Sequence, residues 1–259
     1  MVKLNLPRIY IDANVLISAI LESDPVWKRN NPNEYNRRRD YIDTSYKIYD
    51  RWKPQNLKTS PFAVGEFISK GQTPQLEGKT YDEMLDIVNR SILSKCQIVY
   101  SNLKFPKLIR INEEWKKFWI LAEAEGEVPI DGTPTKIKGV LGIGLALASG
   151  SDAYRKKGRG SVLDFTEIRD LCYRAPAFEI LLFHEASKMA IETRTHLADA
   201  LHFLYAINGE TDIIVTNDQE FKGIRNEPIV ANLLKKQHIE IMDATELVDE
   251  TNHRYGANW

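Results

Sequence analysis

Apolar residues in this chain fall into short runs that break off at polar or acidic positions. The opening stretch "RIYIDANVLISAI" shows the pattern most sharply. Ile9, Tyr10 and Ile11 form an unbroken apolar run, which predicts a short strand buried on both faces. Asp12 and Asn14 follow at once, and a second apolar run predicts a short helix over 15–22. Residues 24–56 are polar and rich in Arg and aromatics, with a helix predicted over 37–52. In "NLKTSPFAVGEFI" a strand is predicted at 57–59. Ser60 is then a natural N-cap with Pro61 at the first helical position, so 62–70 should be a helix carrying Glu66. The stretch "QTPQLEGKT" reads as a loop, 81–93 as a helix and "CQIVYS" as a third strand. "INEEWKKFWILAEAEG" reads as an amphipathic helix closed by Gly126.

The texture changes over 126–160, which holds much of the glycine. "GVLGIGLALASG" looks like a phosphate loop but has neither the GxGxxG spacing nor a GK[ST] ending, so a packed apolar turn or a loop is expected. Asp164 and Glu167 suggest a helix start, and 178–204 reads as mostly helical and very apolar towards its end. "DIIVTND" repeats the opening theme of a strand, here 213–215, followed by polar residues and an acid. "IEIMD" at 239–243 is the last predicted strand. Strands alternating with helices predict an α/β fold with a mainly parallel central sheet flanked by helices.

Composition narrows this picture only a little. With 43% hydrophobic residues, 5 Trp, 11 Tyr and 9 Phe in 259 residues, the chain can bury a sizeable core. Lys and Arg (35) nearly cancel Asp and Glu (36), so net charge identifies no partner. Cys96 and Cys172 lack a CxxC spacing, which argues against a disulfide framework and a zinc-thiolate site. No signal-peptide core and no membrane-spanning run are present, so a cytoplasmic location without a membrane partner is expected.

Candidate chemistry comes from acids in special places. Asp12 and Asp218 each follow a predicted strand, where ligands of parallel α/β sheets gather. Asp199 lies in "THLADALHFLYAI", a helix apolar nearly all round, and a buried carboxylate needs a partner. No Lys or Arg occurs from Asp199 to Asp218, while Glu210 and Asp212 add further acids. A divalent cation is the simplest missing counter-charge, and an all-oxygen donor set suits Mg²⁺ or Mn²⁺ rather than Zn²⁺. Each acid also has a plainer reading: Asp12 and Asp218 as caps, and Glu66 as a solvated helix acid.

The stretches "IYIDANVLI", "LKTSPFAVGEFI" and "HLADALHFLYAINGETDIIVTNDQEF" resemble, in order, the motifs of PIN-domain nucleases, including VapC-type toxins. The matching positions are Asp12 and Asn14, Glu66 after Ser60, Asp199, and Thr216 with Asp218 and Phe221. The resemblance implies a PIN-like core at 1–125 and 177–259, with 126–176 an insertion and 24–56 an elaborated helical hairpin. It also implies an endoribonuclease that hydrolyses RNA through Mg²⁺ or Mn²⁺ held by Asp12, Glu66, Asp199 and Asp218. Asn14, Thr216 and Asn217 would orient carboxylates or waters. The gap between Glu66 and Asp199 is much longer than in the small toxins, which leaves a toxin role open. The expected partners are an RNA substrate, an antitoxin protein and a second copy of the chain.

His196 and His202 flank Asp199 at three residues on either side, and packing or half-exposed histidines is the favoured reading; His184 reads as structural. Substrate contacts are expected from Arg155, Lys156, Lys157 and Arg159, with Tyr154 able to stack on a base. Arg37, Arg38 and Arg39 read as a solvated face. Two alternatives remain. One is a haloacid-dehalogenase-like phosphatase, which would want an acid where Asn14 stands. The other is a non-catalytic RNA-binding protein with the same fold.

Overall fold

The computed structural model describes residues 6–70, 76–101, 138–157, 167–168 and 177–255. In chain order the strands are β1 (Ile9–Ile11), β2 (Leu57–Thr59), β3 (Gln97–Ile98), β4 (Ile213–Val215) and β5 (Glu240–Met242). The helices are α1 (Ala13–Leu16), α2 (Pro25–Asn30), α3 (Pro32–Arg51), α4 (Pro61–Lys70), α5 (Tyr81–Val88), α6 (Lys138–Lys157), α7 (Ala177–Thr193), α8 (Leu197–Asn208), α9 (Gln219–Gly223), α10 (Pro228–Gln237) and α11 (Ala244–Tyr255). The expected fold class is the observed one: a parallel five-stranded sheet with helices, in the order β3-β2-β1-β4-β5.

The chain divides into two compact units. The first comprises Met1–Thr59, Glu66–Ile98 and Glu210–Trp259, and contains the whole sheet. The second comprises Ser60–Gly65 and Val99–Gly209.

In the first unit β1 is the central strand, paired in parallel with β2 on one side and β4 on the other. Its three residues are fully buried, as the unbroken apolar run requires. Each such side chain contributes about 2 kcal/mol relative to exposure. The edges β3 and β5 are short and carry the exposed Gln97 and Glu240, which blunts them against further pairing. Strand order runs outward from β1 through β2 to β3, then restarts on the other side with β4. The reversal point therefore lies between β1 and β4.

Several predicted elements come out longer or differently wound. The helix after β1 begins as α and continues as a π-helical turn over Ile17–Glu22. That turn buries Glu22, which Arg38 pairs at 2.5 Å and Ser18 hydrogen-bonds at 2.9 Å. Helix α3 starts at Pro32, earlier than the apolar pattern indicates, because proline fits its first turn. The helix predicted over 81–93 is α5 followed by a π turn at Asn89–Leu93.

In the second unit α7 and α8 pack together, burying Phe183, Phe203 and Tyr205. The largest correction falls on 138–157. The glycine-rich stretch expected as a turn or loop is helix α6. The physical reason is close packing. A Cβ at Gly144 would stand 2.1 Å from the Pro61 carbonyl oxygen, and one at Gly65 would stand 2.0 Å from the Gly144 carbonyl oxygen. The glycines let two helix backbones touch. The helix predicted over 111–126, Asp164 and Cys172 lie outside the described residues.

Candidate functional site

Asp12 directly follows β1, and its backbone N–H still donates to Val215 of β4 at 3.3 Å. The side chain is 1% exposed. Its Oδ1 accepts from the Val15 N–H at 2.9 Å, so the capping role is real. Its Oδ2 accepts from the Thr216 hydroxyl at 2.5 Å. Thr216 directly follows β4, so the hydroxyl spans the gap between two strand ends at the reversal point. The same Thr216 oxygen accepts the Asp218 N–H at 3.0 Å. Asp218 in turn caps α9, its Oδ1 accepting from Glu220 at 2.8 Å and Phe221 at 3.4 Å. The structure thus brings Asp12, Thr216 and Asp218 into one hydrogen-bonded chain.

Asn217, between them, is anchored sideways. Its Nδ2 donates to Ser45 Oγ of α3 at 2.9 Å, and its Oδ1 accepts the Ala244 N–H of α11 at 3.3 Å. Asn14 is half-buried in α1. Glu66 sits on α4, whose start Ser60 caps by accepting the Ala63 N–H at 3.1 Å. The solvated reading of Glu66 fails, since its side chain is 6% exposed and ion-paired with Lys70.

Asp199 belongs to the second unit, in the first turn of α8. Every residue from Asp199 to Ile207 is buried, as the apolar pattern indicates. His202 is buried against the Phe62 ring, with centroids 4.9 Å apart, and His196 is the half-buried N-cap residue of α8. His184 is buried on α7. These are packing positions, as expected.

One of the acids between Asp199 and Asp218 has its own counter-charge. Asp212 precedes β4 at the opposite end of the sheet, where Arg8 pairs with it at 2.8 Å and holds its carboxyl below the usual range. That acid makes no demand on a metal. Tyr154 is 5% exposed on α6, which leaves no ring face open for a base. Arg155 is exposed and faces Asp152 at 3.6 Å, and Lys156 is exposed. Lys157 ends α6, and Arg159 lies outside the described residues. Arg37, Arg38 and Arg39 are ion-paired with Glu34, Glu22 and Asp43 respectively.

A third strand-end acid escaped the sequence reading. Asp243 follows β5 and is 6% exposed. It and Glu246 cap each other's N–H groups at 2.8 and 2.9 Å, and Lys222 lies 2.7 Å from both carboxylates. The "DATE" spacing is a capping-box signal that could have found it.

Among the described residues, no group of three or more His, Cys, Asp or Glu side chains is gathered to hold a metal ion. The donor chemistry still fits a hard cation. Asp12 and Asp218 both offer hard carboxylate oxygens, and the bonds from Glu220 and Phe221 fall on one oxygen of Asp218. In comparisons with known proteins, no family model, curated protein or solved structure matches this chain. Among the described residues no helix is long and apolar enough to cross a membrane.

Proposed function

We propose that this chain is a PIN-like, Mg²⁺- or Mn²⁺-dependent nuclease that hydrolyses RNA phosphodiester bonds. One observation carries the reading: the Thr216 hydroxyl joins Asp12, at the end of β1, to the Asp218 loop, at the end of β4. This is where the strand order reverses, the common ligand position of parallel α/β sheets. An antitoxin partner and a homodimer belong to the proposal through the resemblance, and a cytoplasmic setting through the hydrophobic pattern of the chain.

A bound divalent ion would supply Lewis acidity and lower the pKa of water for attack on phosphorus. The chain's own residues hold and orient. Asp12 and Asp218 offer carboxylate oxygens. The resemblance also implies Glu66, which pairs with Lys70, and Asp199 as ligands. Thr216 orients the Asp12 carboxylate by donating to Oδ2.

The test is hydrolysis by the purified full chain with Mg²⁺ or Mn²⁺, offered an unstructured RNA and, separately, a small phosphate monoester. RNA cleavage without ester turnover is the expected result. Ester turnover alone would favour the phosphatase reading, and RNA binding without cutting would favour the non-catalytic one.

A further inference from the structure

Ser45 carries no motif and sits mid-helix on α3, far in sequence from every candidate acid. Its side chain is 0% exposed, and its hydroxyl receives the Asn217 amide at 2.9 Å. Two residues on, Gln219 Nε2 donates to the Tyr41 hydroxyl of the same helix at 3.2 Å. Asn217 is also held from the other side by the Ala244 N–H. Every residue of the loop Thr216–Gln219 is thereby fixed through its side chain: Thr216 to Asp12, Asn217 to Ser45, Asp218 to the start of α9, and Gln219 to Tyr41.

We infer that Ser45 is a positioning residue for the metal-binding loop, acting through Asn217 to fix where Asp218 presents its carboxylate. The inference rests on the nuclease reading above and assigns α3 a part in it. A carboxylate ligand must be held within a fraction of an ångström and a few degrees to bind a cation well, and its neighbours set that precision. The loop has only one residue between Thr216 and Asp218, so a shift of Asn217 moves both flanking groups. A purely structural Ser45 would affect stability and leave the carboxylate's geometry alone. A positioning Ser45 should affect metal affinity beyond any stability change.

The experiment is Mn²⁺ binding by calorimetry to the full chain and to Ser45→Ala, Asn217→Ala and the double variant, with the melting temperature of each recorded without metal. The expected result is a Kd about fivefold weaker in Ser45→Ala, the size of one buried hydrogen bond, and at least as weak in Asn217→Ala, which also loses the Ala244 contact. The double variant should be no weaker than Asn217→Ala, because that change already removes the contact through which Ser45 acts. Asn217 is only half-buried, so Asn217→Ala keeps the test usable if Ser45→Ala fails to fold. Wild-type affinity in a folded single variant, or full additivity in the double, overturns the inference and leaves the nuclease reading standing. No Mn²⁺ binding by the wild-type chain overturns both.

Discussion

Glu179 is the buried acid whose environment makes the clearest demand. It is 0% exposed on α7, with Oε1 accepting the Ser101 N–H at 3.0 Å and the Tyr205 hydroxyl donating to the other oxygen. Burial pushes its carboxyl up from the usual 4.5 to about 7, only partly offset by those two donors. Tyr100 and Tyr205 are the titratable groups beside it. Because the folded value is raised, the favourable contribution is complete below about pH 4.5 and is lost as pH rises through about 7. Glu179→Gln removes this titration while keeping an acceptor. The stability advantage of the variant over wild type should therefore grow by up to about 3 kcal/mol between pH 4.5 and 8, as read by urea unfolding. A difference that is flat with pH would show that Glu179 titrates as an ordinary acid. At the other end of the scale of demand lies Cys96, buried, with its thiol pushed up to about 12 by desolvation, and so chemically inert at neutral pH.

Among the elements, α6 and α4 show a rule of helix propensity overturned by packing. Alanine exceeds glycine by about 1 kcal/mol in a helix interior, so Gly144→Ala would stabilise an isolated helix. Here its Cβ would meet the Pro61 carbonyl oxygen at 2.1 Å, and backbone cannot step aside as a side-chain tip can. The variant should lose about 2 kcal/mol, the upper end of overpacking at about 3 less the propensity gain of about 1. Guanidinium unfolding checks it, and an unchanged or higher midpoint would mean the two helices do not touch there. This contact also explains why α6 was not legible in the sequence. Glycine is a turn signal from local chemistry, and the need for it at 144 arises from Pro61 and Gly65, distant in sequence. The central strands were legible for the opposite reason: β1 and β4 show their burial as continuous apolar runs, and their ends as polar breaks. Ser60 and Pro61 likewise announce the start of α4, and the cap forms as their chemistry dictates.

At the scale of the molecule, the reversal of strand order between β1 and β4 turns two separate sequence motifs into neighbours. Asp12 and Asp218 could be read from sequence as strand-end acids. The resemblance implies that Thr216 orients a carboxylate, but that its partner is Asp12 could not be read, because the pairing of β1 with β4 rather than with β3 is a property of topology. The same limit hid Ser45 and Arg8, whose partners lie on elements distant in the chain. We propose that the carboxylates at these two strand ends serve a metal-dependent cut in RNA. The most direct measurement is the single-turnover cleavage rate of an unstructured RNA at saturating Mn²⁺, for wild type and Asp12→Asn. Losing one ligand charge should slow the variant at least about a hundredfold, while its Asn side chain can still accept the Val15 N–H and hold the helix cap. Equal rates in the two folded proteins, or cleavage by wild type that persists after all divalent metal is chelated, would contradict the account.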